Sequence, residues 1–174
     1  SGSEAGELKM WTVGQWDQER PFTGELFRFQ KVAFSPDGKL LCAVGGSFDQ
    51  PRFGRGLIFE VETGKQLAKI ESTGAVMASA AFSPDGQELA TGEYASTLRF
   101  WEPKTGKALS TIEIGGTMDT LEYTKDGTLI GPSYSGDVHV IKNRELVRSL
   151  SGHVGRSYTV RLSPDGKTLV FGGI

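Results

Sequence analysis

The stretch Ala81-Phe82-Ser83-Pro84-Asp85-Gly86, followed at once by Gln87-Glu88-Leu89-Ala90-Thr91-Gly92, decides the fold of this chain. Apolar residues alternate into a Pro-Asp-Gly turn, and a second apolar segment leaves the turn. Pro84 presets its backbone φ angle, Asp85 hydrogen-bonds nearby backbone groups, and Gly86 takes the left-handed conformation. The stretch therefore predicts a β-hairpin.

The same turn unit occurs four times along the chain. A serine or threonine begins each turn, and the aspartates two positions later are Asp37, Asp85, Asp126 and Asp165. The turns are separated by 48, 41 and 39 residues, which indicates a repeat of about 40 residues with one insertion. We expect each aspartate to hydrogen-bond within its own turn and to have a structural role, because the four turns belong to different repeats.

Each repeat is consistent with four short strands. In the second repeat the strands are predicted at 77–82, 88–92, 97–101 and 108–112, and the third of them alternates and is rich in aromatic residues. A four-stranded antiparallel sheet that recurs about every 40 residues is typical of a propeller blade. The predicted fold class is therefore all-β, a β-propeller with four-stranded antiparallel blades and four blades per chain.

Several motifs of the repeats resemble the WD-repeat β-propeller family over nearly the whole chain. They are apolar-x-Phe-Ser-Pro-Asp-Gly, Leu-Ala-Thr-Gly, Leu-Arg-Phe-Trp and Lys-Thr-Gly-Lys, and Gly152-His153 matches the Gly-His element of that family. The resemblance implies structural roles for Thr91, Trp101, Trp11 and His153 in the hydrogen-bond set of the blades. It also implies a non-catalytic scaffold for protein–protein interaction that needs no cofactor.

The repeats also depart from the family pattern. The Trp-Asp pair occurs only as Trp101-Glu102 and Trp11-Thr12, whereas Phe59-Glu60 and Ile141-Lys142 occupy the matching places. Gly74-Ala75 stands where the second repeat would have its histidine. We therefore expect the blades to depend more on apolar packing than on the polar network.

The two ends of the chain carry complementary halves of one repeat. Residues 7–13 align with the third strand of the second repeat, and residues 168–173 form a second strand with no third strand after it. The predicted division has a cloning remnant at 1–3 and propeller blades over 4–174. Within them, 4–24 holds strands three and four of a split blade, 25–72, 73–114 and 115–151 are complete blades, and 152–174 holds strands one and two of the split blade.

Unpaired strand edges at both ends are an aggregation liability unless another strand covers them. The family usually closes rings of seven or eight blades, so four blades per chain predict a homodimer that forms one eight-bladed ring. In that ring Trp11 lies in the same blade as His153 of the other chain. The alternatives are a closed four-bladed ring, part of a propeller enzyme, and a fragment of a larger seven- or eight-bladed domain without independent function.

An insertion distinguishes the first complete blade. The segment 46–56 joins its second and third strands and contains Phe48, Arg52, Phe53 and Arg55. Aromatic and arginine side chains on a loop are the residue types that anchor protein interfaces, so these four are candidate partner-binding residues. In the equally weighted alternative, both phenylalanines pack onto a neighbouring blade.

Composition narrows the remaining functions. A net charge of −2 and an isoelectric point near 5.7 argue against a nucleic-acid partner, and no apolar run is long enough to span a membrane. The single cysteine, Cys42, fits a reducing and therefore cytoplasmic location. Two histidines in unrelated repeat positions predict no metal site, and no catalytic motif predicts an enzyme. The predicted partners are a second copy of the chain and an unidentified protein or peptide.

Overall fold

The computed structural model of the chain describes residues 7–22, 25, 27–151 and 155–174, and these residues form strands and turns only. In chain order the strands are β1 Leu8–Thr12, β2 Gln15–Phe22, β3 Arg28–Phe34, β4 Leu40–Ser47, β5 Phe53–Glu60, β6 Gln66–Thr73, β7 Met77–Phe82, β8 Leu89–Glu93, β9 Thr97–Glu102, β10 Lys107–Glu113, β11 Glu122–Tyr123, β12 Leu129–Pro132, β13 Val138–Lys142, β14 Glu145–Leu150, β15 Ser157–Leu162 and β16 Leu169–Gly173.

The strands are arranged in five antiparallel sheets. Three sheets have four strands each, in the orders β3-β4-β5-β6, β7-β8-β9-β10 and β11-β12-β13-β14. At the two ends of the chain, β1 pairs only with β2, and β15 pairs only with β16, within the part of the chain that the structure describes. The predicted all-β fold of four-stranded antiparallel sheets is therefore confirmed.

The strand registers define which residues of different sheets are equivalent. Leu89 lies opposite Trp101 in the second complete sheet, as Leu41 lies opposite Phe59 and Leu129 opposite Ile141 in the others. The residues that face these leucines from the innermost strands are Phe34, Phe82, Tyr123 and, opposite Leu169, Leu162. Trp101, Phe59 and Ile141 consequently occupy the same place in three successive sheets.

Successive sheets pack face to face, and the core lies between them. Between β3–β6 and β7–β10, Leu40, Ile58 and Ala68 meet Phe82 and Trp101 in one buried cluster. A second cluster joins β7–β10 to β11–β14. A third joins β1 and β2 to β3–β6, and a fourth joins β15 and β16 to β11–β14. Because each sheet in the middle of the chain is covered by its neighbours, the alternating apolar residues of the repeats are buried there.

The turn aspartates are hydrogen-bonded within their own turns. Ser83 Oγ donates to Asp85 Oδ1 at 2.6 Å, the backbone N–H of Gln87 donates to the same oxygen at 3.0 Å, and Gly86 has a φ of 69°. The same hydroxyl–carboxylate bond is present at Asp37, Asp126 and Asp165. These hydrogen bonds lower the pKa of all four carboxyl groups, that of Asp126 from 3.8 to about 2.

We expect the turn aspartates to make the fold sensitive to acid. A carboxyl group whose pKa is depressed by folding contributes stability above its unfolded pKa, and this contribution is lost as the pH falls through the folded value. For Asp126 the loss falls between pH 3.8 and about 2. Melting temperatures measured across that range should therefore drop, and the drop should be smaller in Asp126→Asn. An identical pH dependence in the two proteins would contradict this role.

Candidate functional site

The N-terminal pair of strands leaves part of the adjacent sheet uncovered. Leu8 and Phe22 are buried against Leu41 and Phe59 of the β3–β6 sheet. Next to this contact, an open apolar cleft of about 290 Å³ remains. Its lining includes Met10, Trp11, Trp16, Val32 and Phe34. The cleft lies where a complete sheet would have its two innermost strands.

The C-terminal pair of strands is covered on one face only. One face of β15 and β16 packs on the β11–β14 sheet through Val160, Leu169 and Phe171. The other face presents Val170 to solvent. Among the described residues β16 pairs only with β15, so each end of the chain contributes two of the four strands that a complete sheet has.

Equivalent positions in the middle of the chain show what the two ends lack. Phe82, Ala90 and Trp101 are 6%, 0% and 4% exposed. Their counterparts at the ends, Phe34, Val170 and Trp11, are 52%, 67% and 37% exposed. The same apolar positions are therefore covered between complete sheets and uncovered at both ends of the chain.

The predicted structural residues lie in different surroundings. Trp101 is buried and its Nε1–H donates to Thr91 Oγ1 at 2.8 Å, and Thr91 is also buried. Trp11, at the matching place in β1, is partly exposed and lines the apolar cleft. Gly152 and His153 lie outside the described residues.

The link between β4 and β5 is shorter than the predicted insertion. Gly46 pairs with Gly54 and Ser47 with Phe53, so the unpaired segment is 48–52 rather than 46–56. A Cβ at Gly46 would lie 2.0 Å from the Phe53 carbonyl oxygen, so only glycine fits this close strand approach. The glycines let the two strands continue at close approach, which is the physical reason for the difference.

Phe48 and Arg52 are on the exposed part of this link. The Phe48 ring is partly exposed and lies 5.3 Å from the ring of Tyr94, and the Arg28 guanidinium lies 5.9 Å from the Phe48 centroid. Arg52 Nε donates to the Phe48 carbonyl oxygen at 3.2 Å. Tyr94 and Arg28 were not among the predicted residues, because only the folded chain brings them to Phe48.

Phe53 and Arg55 are instead held within the fold. Phe53 packs against the buried cluster beneath β1 and β2, and the Arg55 guanidinium lies 4.8 Å from its centroid. Arg55 is hydrogen-bonded to Glu25 and to Glu71, and Lys69 pairs with both carboxylates. The hydrogen bond from Lys69 is the main cause that lowers the pKa of Glu25 and Glu71. The structure therefore separates the four candidates into two pairs.

The chain is similar in sequence to known repeat proteins. The family model described as "WD domain, G-beta repeat" matches residues 64–102, which include β6 to β9. A WD repeat-containing protein from Schistosoma mansoni, SL1-17, is 27% identical over 162 residues, 91% of this chain and 52% of the relative. This part of the chain thus matches the WD-repeat family model, and most of the chain is similar to a WD repeat-containing protein. Proteins of this family generally act as scaffolds for protein interactions.

Two further relatives are named eukaryotic translation initiation factor 3 subunit I. The protein from Phaeosphaeria nodorum is 32% identical over 48% of this chain and 21% of the relative. The protein from Pyricularia oryzae is 29% identical over 56% of this chain and 27% of the relative. The chain thus spans about half the length of the Schistosoma relative and about a quarter of the other two.

Shortening the exposed link between β4 and β5 should leave the stability of the chain almost unchanged. If residues 48–52 are replaced by a short Gly-Ser link, we expect a melting temperature close to that of the parent, because Phe48 packs only on the surface. Phe53→Ala is the matched comparison and should destabilise by about 1–3 kcal/mol, because it removes a partly buried ring. Thermal unfolding measures both, and equal losses would contradict the assignment of these two rings.

Metal-ligating side chains do not converge in the described residues. No group of three or more histidine, cysteine, aspartate and glutamate side chains is placed there to hold a metal ion. Burial raises the pKa of Cys42 and lowers that of His139, whose Nδ1 is 2.8 Å from Ser149 Oγ. No helix of this part of the chain is long and apolar enough to cross a membrane.

Proposed function

We propose that the chain is a non-catalytic scaffold that completes its propeller with a second copy of itself. Strands β15 and β16 of one chain join β1 and β2 of the other, and the same exchange occurs a second time. The observation that carries the proposal is the exposure of Phe34, Val170 and Trp11, whose equivalents between complete sheets are buried. Two chains then form one eight-bladed ring from the segments 4–24 and 152–174 of each chain and the blades 25–72, 73–114 and 115–151.

The register of the complete sheets specifies how the two halves would pair. Leu89 lies opposite Trp101 and Ala90 opposite Phe100 across β8 and β9. In the split blade the equivalent antiparallel pairs are Leu169 with Trp11 and Val170 with Met10 of the second chain. This pairing gives hydrogen-bond partners to both free strand edges, which would otherwise remain templates for aggregation.

The exchanged strands would also bury the exposed apolar faces. Phe82 packs in the cluster that contains Cys42. Val170 occupies the place of Cys42, one residue after the equivalent leucine, and Phe34 occupies the place of Phe82. Phe34 of one chain would therefore contact Val170 of the other. Each contact occurs twice about a two-fold axis, as in most homodimers of soluble proteins. A family that closes with seven or eight blades gives each blade about one-eighth of a circle, so a single chain covers about half of it.

The scaffold needs a partner surface as well as a ring. We place it at Phe48 and Arg52, because both lie on the exposed link and Tyr94 extends the aromatic surface beside Phe48. Phe53 and Arg55 lie in β5, which begins directly after that link. The relatives named as subunits of an initiation factor favour a protein or peptide partner over a small molecule. A cytoplasmic location is part of the proposal and rests on the single buried thiol.

The mass in solution tests this assembly. Light scattering coupled to size exclusion should give about twice 18.8 kDa at micromolar concentration. A well-folded species of 18.8 kDa that unfolds cooperatively would contradict the shared blade and would favour a closed ring within one chain.

A further inference from the structure

A row of aromatic side chains crosses the sheets at the edge opposite the Pro-Asp-Gly turns. It begins at Phe48, continues through Tyr94 and Tyr134, and ends at Tyr158. The ring centroids of Phe48 and Tyr94 lie 5.3 Å apart, and those of Tyr134 and Tyr158 also lie 5.3 Å apart. The two central tyrosines are close enough for their hydroxyl groups to interact, so the row is continuous over three sheets.

The repeating backbone explains this alignment. The backbone N–H of Tyr94 donates to the Val76 carbonyl oxygen at 3.0 Å, and that of Tyr134 donates to the Thr117 carbonyl oxygen at 3.2 Å. In both sheets the bond joins the end of the second strand to the residues that lead into the innermost strand. The two tyrosines therefore occupy the same place in successive sheets, and Phe48 joins them from the exposed link between β4 and β5.

The aromatic row is open to solvent and carries little charge of its own. Phe48 and Tyr94 are 42% and 38% exposed, and Tyr134 and Tyr158 are partly exposed. Tyr134 Oη donates to Asp119 Oδ2 at 2.7 Å, which holds this ring in place. Burial and the Asp119 carboxylate raise the pKa of Tyr94 and of Tyr134, so both hydroxyls stay neutral. These rings can therefore pack against apolar groups of another polypeptide.

Arginine side chains stand at both ends of the row. At one end, the Arg28 guanidinium lies 5.9 Å from the Phe48 centroid, and Arg52 is hydrogen-bonded to the Phe48 carbonyl oxygen. At the other end, the Arg156 guanidinium lies 5.2 Å from the Tyr134 centroid. All three arginines are exposed. The surface thus has positive charge at its two ends and aromatic rings between them.

The charges of Arg52 and Arg156 are not neutralised within the fold. Neither guanidinium forms an ion pair with an aspartate or glutamate of the described residues. The arginines that do pair with a glutamate are Arg55, Arg99, Arg144 and Arg161. Because a guanidinium can lie over an aromatic ring and donate to a carboxylate at the same time, both ends of the row favour carboxylates.

We propose that the aromatic row binds an extended acidic segment of a partner polypeptide. Carboxylates near the two ends of the segment pair with Arg52 and Arg156, and an apolar side chain between them packs on Tyr94. This inference rests on the partner surface proposed above at Phe48 and Arg52, which it extends to Arg156, but not on closure of the ring with a second chain. A basic segment would place its cations beside the arginines, where like charges repel.

The test uses the intact chain and three synthetic heptapeptides with acetylated and amidated ends. The acidic peptide is Asp-Glu-Ser-Phe-Ser-Glu-Asp, the neutral peptide is Asn-Gln-Ser-Phe-Ser-Gln-Asn, and the basic peptide is Lys-Arg-Ser-Phe-Ser-Arg-Lys. Two-dimensional NMR should show saturable shifts at Tyr94, Tyr134 and Arg156 with the acidic peptide, with a dissociation constant on the order of 0.1–1 mM. The neutral peptide should bind about tenfold more weakly, and the basic peptide should cause no shift at these residues.

Arginine variants separate the two ends of the surface from a general effect of charge. Arg52→Gln and Arg156→Gln should each weaken binding of the acidic peptide by about threefold and leave the neutral peptide unaffected. Arg148→Gln is the matched control, because it removes the same charge from an exposed position on the outer strand β14 and should change neither affinity. Tyr94→Ala should weaken both peptides, since it removes the ring on which the apolar side chain packs.

Three outcomes would overturn the proposal. They are the absence of saturable shifts along the row with the acidic peptide, equal affinities of the acidic and neutral peptides, and an equal loss of affinity in Arg148→Gln and Arg156→Gln. Equal affinities with shifts at Phe48 and Tyr94 would contradict the acidic partner but not the partner surface itself. The mass of the same samples reports on the shared ring, so the failures of the two proposals give different results.

Discussion

Trp101→Ala is expected to lower the free energy of unfolding by about 3–5 kcal/mol, as for other large-to-small changes in a packed core. The Trp101 side chain is almost fully buried between two sheets, and its indole N–H donates to Thr91. Truncation would leave a large cavity between the sheets and an unsatisfied hydroxyl. For a domain of this size the loss should lower the melting temperature by roughly 6–20 °C.

Urea denaturation followed by circular dichroism measures this loss. Trp101→Phe is the matched control, since it keeps an aromatic ring and removes the hydrogen bond to Thr91, and it should cost less than the alanine variant. A Trp101→Ala protein that melts within a couple of degrees of the parent would show that the side chain is not part of the core. The assigned face of β9 would then be wrong by one residue.

Val170→Lys is expected to abolish the dimer while leaving the individual sheets intact. Val170 is exposed in the single chain but would be enclosed against Phe34 of the second chain, where an unpaired ammonium group is costly. We expect the dissociation constant to rise by at least about 100-fold. Leu146→Lys is the control, because Leu146 is exposed on the outer strand β14 and its counterpart between complete sheets, Ala108, is exposed as well.

Sedimentation over a concentration series measures both variants. The parent and Leu146→Lys should sediment with the same mass, and Val170→Lys should sediment as a single chain or aggregate through its free strand edges. If Val170→Lys and the parent had equal masses and equal dissociation constants, the proposed burial of Val170 would be contradicted.

Local patterns of the sequence were sufficient to predict the strands and turns. The strands predicted at 77–82 and 97–101 are found at Met77–Phe82 and Thr97–Glu102, because apolar alternation and the Pro-Asp-Gly turn act over a few residues. The pairing of Trp101 with Thr91 followed from the family resemblance and agrees with the hydrogen bond in the structure. Each of these features depends on residues within one repeat.

Features that depend on side-chain contacts made only in the folded chain could not be predicted. The sequence shows Ile141 where other repeats have an aromatic residue. Only the fold places Glu88 of the neighbouring sheet beside it, in a cleft of about 620 Å³ that both residues line. The predicted insertion 46–56 included Gly56, which lies inside β5, where a Cβ would be 2.7 Å from Ile70 Cγ1. Arg55 seemed free to bind a partner, and only the fold brings Glu25, Glu71 and Lys69 around it.

Cross-linking between chains tests the shared blade most directly. Met10→Cys and Val170→Cys are made in separate chains, and the two proteins are mixed, refolded together and oxidised. Adjacent positions on antiparallel strands bring Cβ atoms within disulfide range, and buried Cys42 does not compete. We predict a disulfide-linked species of about twice 18.8 kDa in the mixture and none in either variant alone. No cross-link in the mixture, together with a disulfide inside single chains that carry both cysteines, would contradict the shared blade.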